Sequence, residues 1–292
     1  MHVNRINRRN LVIASSLSFA LAHPRGLLLA QDATPHSGHE TSPSREAPEI
    51  TVSIDDTDII FPAEIQAGIN HVTFENGSSG DGHILTFRLP EDIDMDALFA
   101  SMSQEDAPFP DELRDQYFPG IADYPPIGGS ATAFVNYEPG SYMAVNIFGD
   151  QTPAMFEVVG DPWGVPPPRA DHEVGMIEME FLGLEEPVAS GEQVWSLVNF
   201  GHTWHEILMV SMPELVTPDE LMEFFLTTEN PDDLEAGGYG LVAASGIMSP
   251  GAQIWMELDL APGAYGAMCM APDNFSGPPH ALVGMVSTFE VV

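Results

Sequence analysis

The only cysteine of this 292-residue chain, Cys269, stands at the head of a run of possible metal donors. His280 follows after ten intervening residues and Met285 after four more. Upstream, the stretch "NFGHTWHEILMV" adds His202 and His205. One thiolate, two imidazoles and a thioether are the donors of a type 1 copper centre. The sulfurs favour Cu(I), the imidazoles keep Cu(II) acceptable, and a rigid site that suits both passes one electron with little rearrangement. Zinc prefers tetrahedral sites without a thioether, so Met285 argues against it. A lone cysteine also excludes an internal disulfide and reads as ligating, reactive or intermolecular.

Short β-type segments punctuated by Gly and Pro must hold these residues. Cys269 closes the run "AQIWMELDLAPGAYGAMCM", and Met285 opens "VGMVSTFEVV". Strand alternation puts His205, Ile207 and Met209 on one face. That favours His205 as the upstream imidazole, with His202 as the alternative, because His202 would bring Trp204 and Glu206 to the ligand face. Met268 and Met270 alternate with Cys269 and so point to the other face.

The same order of landmarks occurs twice. "FENGSSGDGHILTFRLP" answers to "VNFGHTWHEILMVSMP", and each is followed by an acidic helix-like stretch, "EDIDMDALFASM" and "TPDELMEFFLTT". In the second stretch Thr217 or Asp219 is placed to cap, and Leu221, Phe224 and Phe225 share a face. A Pro-Gly-x-Tyr turn, at Pro139-Gly140 and Pro262-Gly263, anchors the comparison. The sequence therefore predicts an all-β chain of two tandem Greek-key β-sandwich domains, each with a short helical insertion. Residues 49–160 form the first and 173–292 the second, joined by a Pro-rich linker at 161–172. The first copy lacks the donors: Asn146 stands in the place of Cys269, its loop has no histidine, and only His83 remains. His71 and His172 have no partner in register, and Trp204 and Trp255 read as packing residues.

The second copy resembles the cupredoxins, the blue copper proteins. The resemblance lies in the strand histidine of "HEILMV", the strand "APGAYGAMC" and the closing "PPHALVGMVSTFEVV". The fold resemblance extends to both copies. It implies one type 1 copper ion (Cu2+/Cu+) held by His205, Cys269, His280 and Met285, and one-electron transfer to a redox partner protein docking around Pro278 to Ala281. His280, as the histidine nearest the surface, would be the electron's exit. The ten-residue gap is longer than in small cupredoxins, although copper nitrite reductases have a long Pro-rich loop here. Pro272, Pro278 and Pro279 stiffen this one. A multicopper oxidase or a nitrite reductase-like enzyme needs further copper on several histidines. This chain has no His-x-His pair, and Met268 rather than histidine precedes Cys269, so a carrier and not an enzyme is expected. The alternatives are a copper-free cupredoxin-like binding module and a copper chaperone or store.

The chain's 44 acidic residues face 8 basic ones, a net charge of −36. Such a surface repels nucleic acid and anionic membranes and favours cations or basic partners. Beyond Gln31 the acids are spread along the rest of the chain, as in adaptation to high salt or acid. None precedes Gln31, whereas Arg5, Arg8, Arg9 and Arg25 do. Residues 1–30, with the apolar run Leu11 to Ala22, read as a secretory signal cleaved near Ala30. Arg8-Arg9-Asn10-Leu11-Val12 resembles a twin-arginine signal. Residues 31–48 should be a flexible tether, and His36 and His39 within it a solvated pair. The expected mature protein is exported, periplasmic or extracellular, with no lipid anchor and no membrane span.

Overall fold

The computed structural model describes residues 47–292 apart from 81, 103–112, 147–150, 229–233, 235 and 273–276. The expected export signal lies outside the described residues, as does the tether as far as residue 46, with His36 and His39. Ala47 is already buried, and Pro48 O accepts a hydrogen bond from His71 N at 2.9 Å.

The described chain is all-β with two helices. In order come β1 (Glu49–Ile54), β2 (Ile59–Ile60), β3 (Glu64–Asn76), β4 (Leu85–Arg88), α1 (Met95–Met102), β5 (Ala122–Asp123), β6 (Ser130–Tyr137), β7 (Gly140–Val145) and β8 (Ala154–Trp163). The second series is β9 (His172–Ile177), β10 (Glu180–Leu182), β11 (Gly191–Asn199), β12 (Leu208–Met212), α2 (Pro218–Thr227), β13 (Gly240–Ser245), β14 (Gln253–Leu260), β15 (Gly263–Met268) and β16 (Val286–Val291). A 3-10 turn, His280–Val283, precedes β16. The strands form where apolar residues alternate: in β1, Ile50, Val52 and Ile54 are buried while Glu49 and Thr51 are exposed.

The pairing repeats strand for strand. β1 runs parallel to β3 and antiparallel to β2, as β9 does to β11 and β10. β3 pairs β6 and β11 pairs β14; β4–β7–β8 matches β12–β15–β16. Local devices repeat too. Tyr142 donates its hydroxyl to Glu138 O at 3.0 Å and Tyr265 to Ala261 O at 2.8 Å, so each Pro-Gly-x-Tyr turn is locked by a tyrosine reaching four residues back. Asn76 Nδ2 donates to Gly80 O and Pro125 O, as Asn199 Nδ2 does to Thr203 O and Met248 O. Helix α2 starts at a capping box in which Thr217 accepts from Glu220 N while Glu220 accepts from Thr217 N. Leu221 and Phe225 are buried under it, with Phe224 packed beside them.

The two repeats share their sheets. An eleven-stranded sheet crosses the junction where β14 pairs β6, and a five-stranded sheet crosses it where β13 pairs β5. In both crossings equivalent residues face each other: Met256 opposite Ala133, and Ser245 opposite Ala122. The repeats thus meet about a local two-fold axis, as an isologous dimer would. One apolar cluster runs through the junction, from Val52 and Phe74 by way of Phe118, Trp204 and Met248 to Cys269 and Met285. No helix among the described residues is long and apolar enough to cross a membrane.

Candidate metal centre

Two strand ends, a connecting segment and a 3-10 turn build the site. His205 lies between β11 and β12, Cys269 directly follows β15, His280 opens the 3-10 turn, and Met285 directly precedes β16. Backbone bonds tie the last three together. Cys269 N donates to Met285 O (3.2 Å), Ala281 N to Cys269 O (2.7 Å) and Met285 N to His280 O (3.0 Å). The long loop closes at a neck, where Pro272 bridges Pro279 and His280 N donates to Ala271 O at 3.0 Å. The gap between Cys269 and His280 is therefore spanned by a short backbone ladder.

The side chains converge inside this frame. Cys269 Sγ is 3.5 Å from His280 Nδ1 and 3.8 Å from His205 Nδ1, and the two Nδ1 atoms are 3.1 Å apart. His205, Cys269, His280 and Met285 have no exposed surface. Glu206 N points at Cys269 Sγ from 3.4 Å, a hydrogen bond suited to a thiolate. Met285 joins the site through its backbone and packs in the same apolar cluster as Cys269. Met268 and Met270 pack in a different cluster, under α2. His202 is exposed and stands outside the donor group. His280 and His205 are both fully buried, and Leu282 and Val283 beside His280 are exposed.

The pocket favours uncharged groups. Burial pushes the Cys269 thiol well above its ordinary range, and the carboxyl of Glu206 adds to this. Burial, with His280 alongside, takes His205 down to about 4, against a smaller opposing pull from Glu178. Glu178 lies on the Nε2 side of that ring and accepts from His202 N. Two imidazoles and a thiol aimed at one point fit a metal that takes thiolate and imidazole and displaces the thiol proton. Among the described residues this is the one cluster of three such donors close enough to share an ion.

The first repeat corrects the sequence alignment. Asn76 matches Asn199 and Leu85 matches Leu208, so Gly82 stands where His205 is and His83 stands where Glu206 is. His83 is no remnant ligand. Its Nδ1 lies 2.6 Å from Asp123 Oδ2, and its ring stacks on Tyr124 at 4.6 Å. Glu206 faces this pair across the junction. Burial raises its carboxyl to about 7, with His83 pulling it down and Asp123 pushing it up. Sequence reading missed this cluster because alternation turns Glu206 away from the ligand face, and only the neighbouring repeat buries that other face. His71 also has a partner, Glu257 in β14, at 3.2 Å.

Fold and site together define an all-β protein with a buried donor set of one thiol and two imidazoles. No family model matches the chain, and no curated protein matches it. Among solved structures, a dithionite-reduced auracyanin from Roseiflexus castenholzii is 22% identical, with 41% of this chain and 94% of that one covered at a TM-score of 0.28. Auracyanin A, a "blue" copper protein from Chloroflexus aurantiacus, is 16% identical, over 41% of this chain and 96% of that one, TM-score 0.28. The copper nitrite reductase of Nitrosomonas europaea is 11% identical, over 85% and 94%, TM-score 0.26. Likeness this distant assigns neither family nor function.

Proposed function

We propose that this chain is an exported type 1 copper protein, cupredoxin-like in both repeats, which binds one copper ion in the second and serves as a one-electron carrier. The observation that carries this reading is the convergence of Cys269 Sγ, His205 Nδ1 and His280 Nδ1 in a fully buried pocket, with a main-chain N–H directed at the sulfur. Copper bound there would supply a one-electron couple between Cu2+ and Cu+. His205, Cys269 and His280 would hold it, and Met285 is the nearby thioether. The surrounding residues do the rest. Glu206 N stabilises negative charge on Cys269, the Pro272–Pro279 neck fixes the spacing of Cys269 and His280, and the apolar cluster excludes water. Rigid, dry surroundings of this kind suit a group that changes charge without changing shape.

A carrier fits better than an enzyme. The sequence has no His-x-His pair to hold further copper, and Met268 precedes Cys269. The redox partner would be a protein that docks over the 3-10 turn, where Leu282 and Val283 are exposed. The test is addition of Cu(II) to the metal-free protein. An intense thiolate-to-copper absorption in the visible, lost in Cys269→Ser, is the expected result. Stoichiometric Cu(I) uptake without colour would replace the carrier with a chaperone or store, and no uptake of copper in either state would overturn both.

A further inference from the structure

His205 is linked to the donor-free repeat by two further strips of backbone, bonded edge to edge. His205 N donates to Met248 O at 3.2 Å, and Met248 N donates to His205 O at 2.8 Å. On its other edge Met248 is bridged to Pro119. One residue on, Ser249 N donates to Phe118 O at 2.9 Å. Ser249 Oγ accepts from Phe118 N at 3.0 Å and donates to Gln116 O at 3.1 Å. Further along, Gly246 N donates to Ile121 O at 2.7 Å, and Ser245 pairs with Ala122. Side chains follow the same path: Phe118 and Met248 are fully buried, and Phe118 packs against Trp204, the residue before His205, with ring centroids 5.0 Å apart. Gly120 has φ +79°, and a methyl group there would stand 2.7 Å from Met248 Cγ.

We propose that Phe118–Ala122 of the first repeat is a positioning element for His205, acting through Met248 and Ser249. The backbone of His280 is bonded to Ala271 and Met285, and its ring meets Cys269, in its own repeat. His205 lies outside a regular strand, and its two-bond bridge to Met248 makes its position depend on where Met248 sits. Met248 is seated in turn by Pro119 and Gly120. Donor sites need their side chains held within roughly half an ångström, so a repeat without donors still determines the geometry of the site. The consequence for metal rests on the reading of His205 as a ligand, whereas the positioning itself belongs to the metal-free protein.

The test compares Gly120→Ala and Ser249→Ala with Val158→Ala, a core truncation in β8 that also lowers stability. In the metal-free proteins, the ring resonances of His205 and His280 and the alkylation rate of Cys269 are followed by NMR and mass spectrometry. Both variants should shift the His205 resonances more than those of His280, whose ring responds only through its contact with His205. Cys269 should react about tenfold faster than in the control, since local opening sets its access. With Cu(II) added, the absorption should move or weaken in both variants and not in Val158→Ala. If variants and control behave alike at matched melting temperature, the first repeat only covers apolar surface and the proposal fails. Should Gly120→Ala not fold, Ser249→Ala decides, because it removes hydrogen bonds and adds no atom. If the wild type takes no copper yet the metal-free His205 resonances respond, the copper reading fails and the positioning stands. A coloured wild type whose variants match the control gives the reverse.

Discussion

His205 and His202 lie three positions apart in unlike surroundings. His202 is exposed, and its main-chain N–H is bound to Glu178. His205 is sealed, with Nδ1 toward Cys269 and Nε2 toward Gly201 and Glu178. His205→Ala should abolish the Cu(II) absorption and His202→Ala should preserve it, as titration of each variant with Cu(II) will read directly. Gly201 is a sharper probe. A methyl group there would lie 2.7 Å from His205 Nε2 and 2.8 Å from Glu178 Oε1. Gly201→Ala must therefore turn the ring or push the carboxylate away. A loss of about 10–100-fold in copper affinity is expected, the usual scale for disturbing a group behind a ligand, measured by competition with a chelator.

At the scale of elements, the loop between β15 and β16 determines whether distant residues can share an ion. The separation of Cys269 and His280 suggests a wide loop. The bridge from Pro272 to Pro279 closes its base, and prolines there lower the entropy lost on ordering it. The tyrosine locks perform a parallel task for the strands that start at Gly140 and Gly263. Tyr142→Phe and Tyr265→Phe should each cost about 1 kcal/mol, the net worth of one buried hydrogen bond, in urea unfolding. Helix α2 packs in a cluster that contains none of the donors. Thr217→Ala removes its capping box and should also cost about 1 kcal/mol, while the metal absorption keeps its position.

The whole molecule carries a net charge of −36, and its repeats are joined through two sheets. Self-repulsion on that scale should be relieved by screening, so the melting temperature should rise between low and high sodium chloride at neutral pH. His71 and Glu257 add a pH-dependent link across the junction. The hydrogen bond to Glu257 holds the His71 pKa above its ordinary 6.5, against the opposing effect of burial. A raised folded pKa stabilises fully below the unfolded value, and that contribution fades as pH rises through the folded one. His71→Gln should thus lower stability at about pH 5 and have no effect through this pair at about pH 9. Both side chains are partly exposed, which limits the loss to about 1 kcal/mol or less.

The strands, both helices, the repeat and the donor types were legible in the sequence, because each depends on local pattern. Alternating Ile50, Val52 and Ile54 make a strand edge, Thr217 makes a cap, and Pro-Gly-x-Tyr makes the same corner twice. Alternation also separates Cys269 from Met268 and Met270, and it favoured His205 over His202. Three matters needed the tertiary structure, since each depends on residues far apart in the chain. The register of the repeats was misread around His83, because one imidazole in a similar context looks like a ligand until the strand starts at Leu85 and Leu208 are aligned. The surroundings of Glu206 were hidden, because one repeat alone cannot show that the other covers it. The closure of the Cys269–His280 loop was open, because sequence separation sets a limit on reach and leaves the path undetermined. Donor identity was thus a property of the sequence, whereas the placing of those donors around one point follows from the Pro272–Pro279 neck and the packing of both repeats.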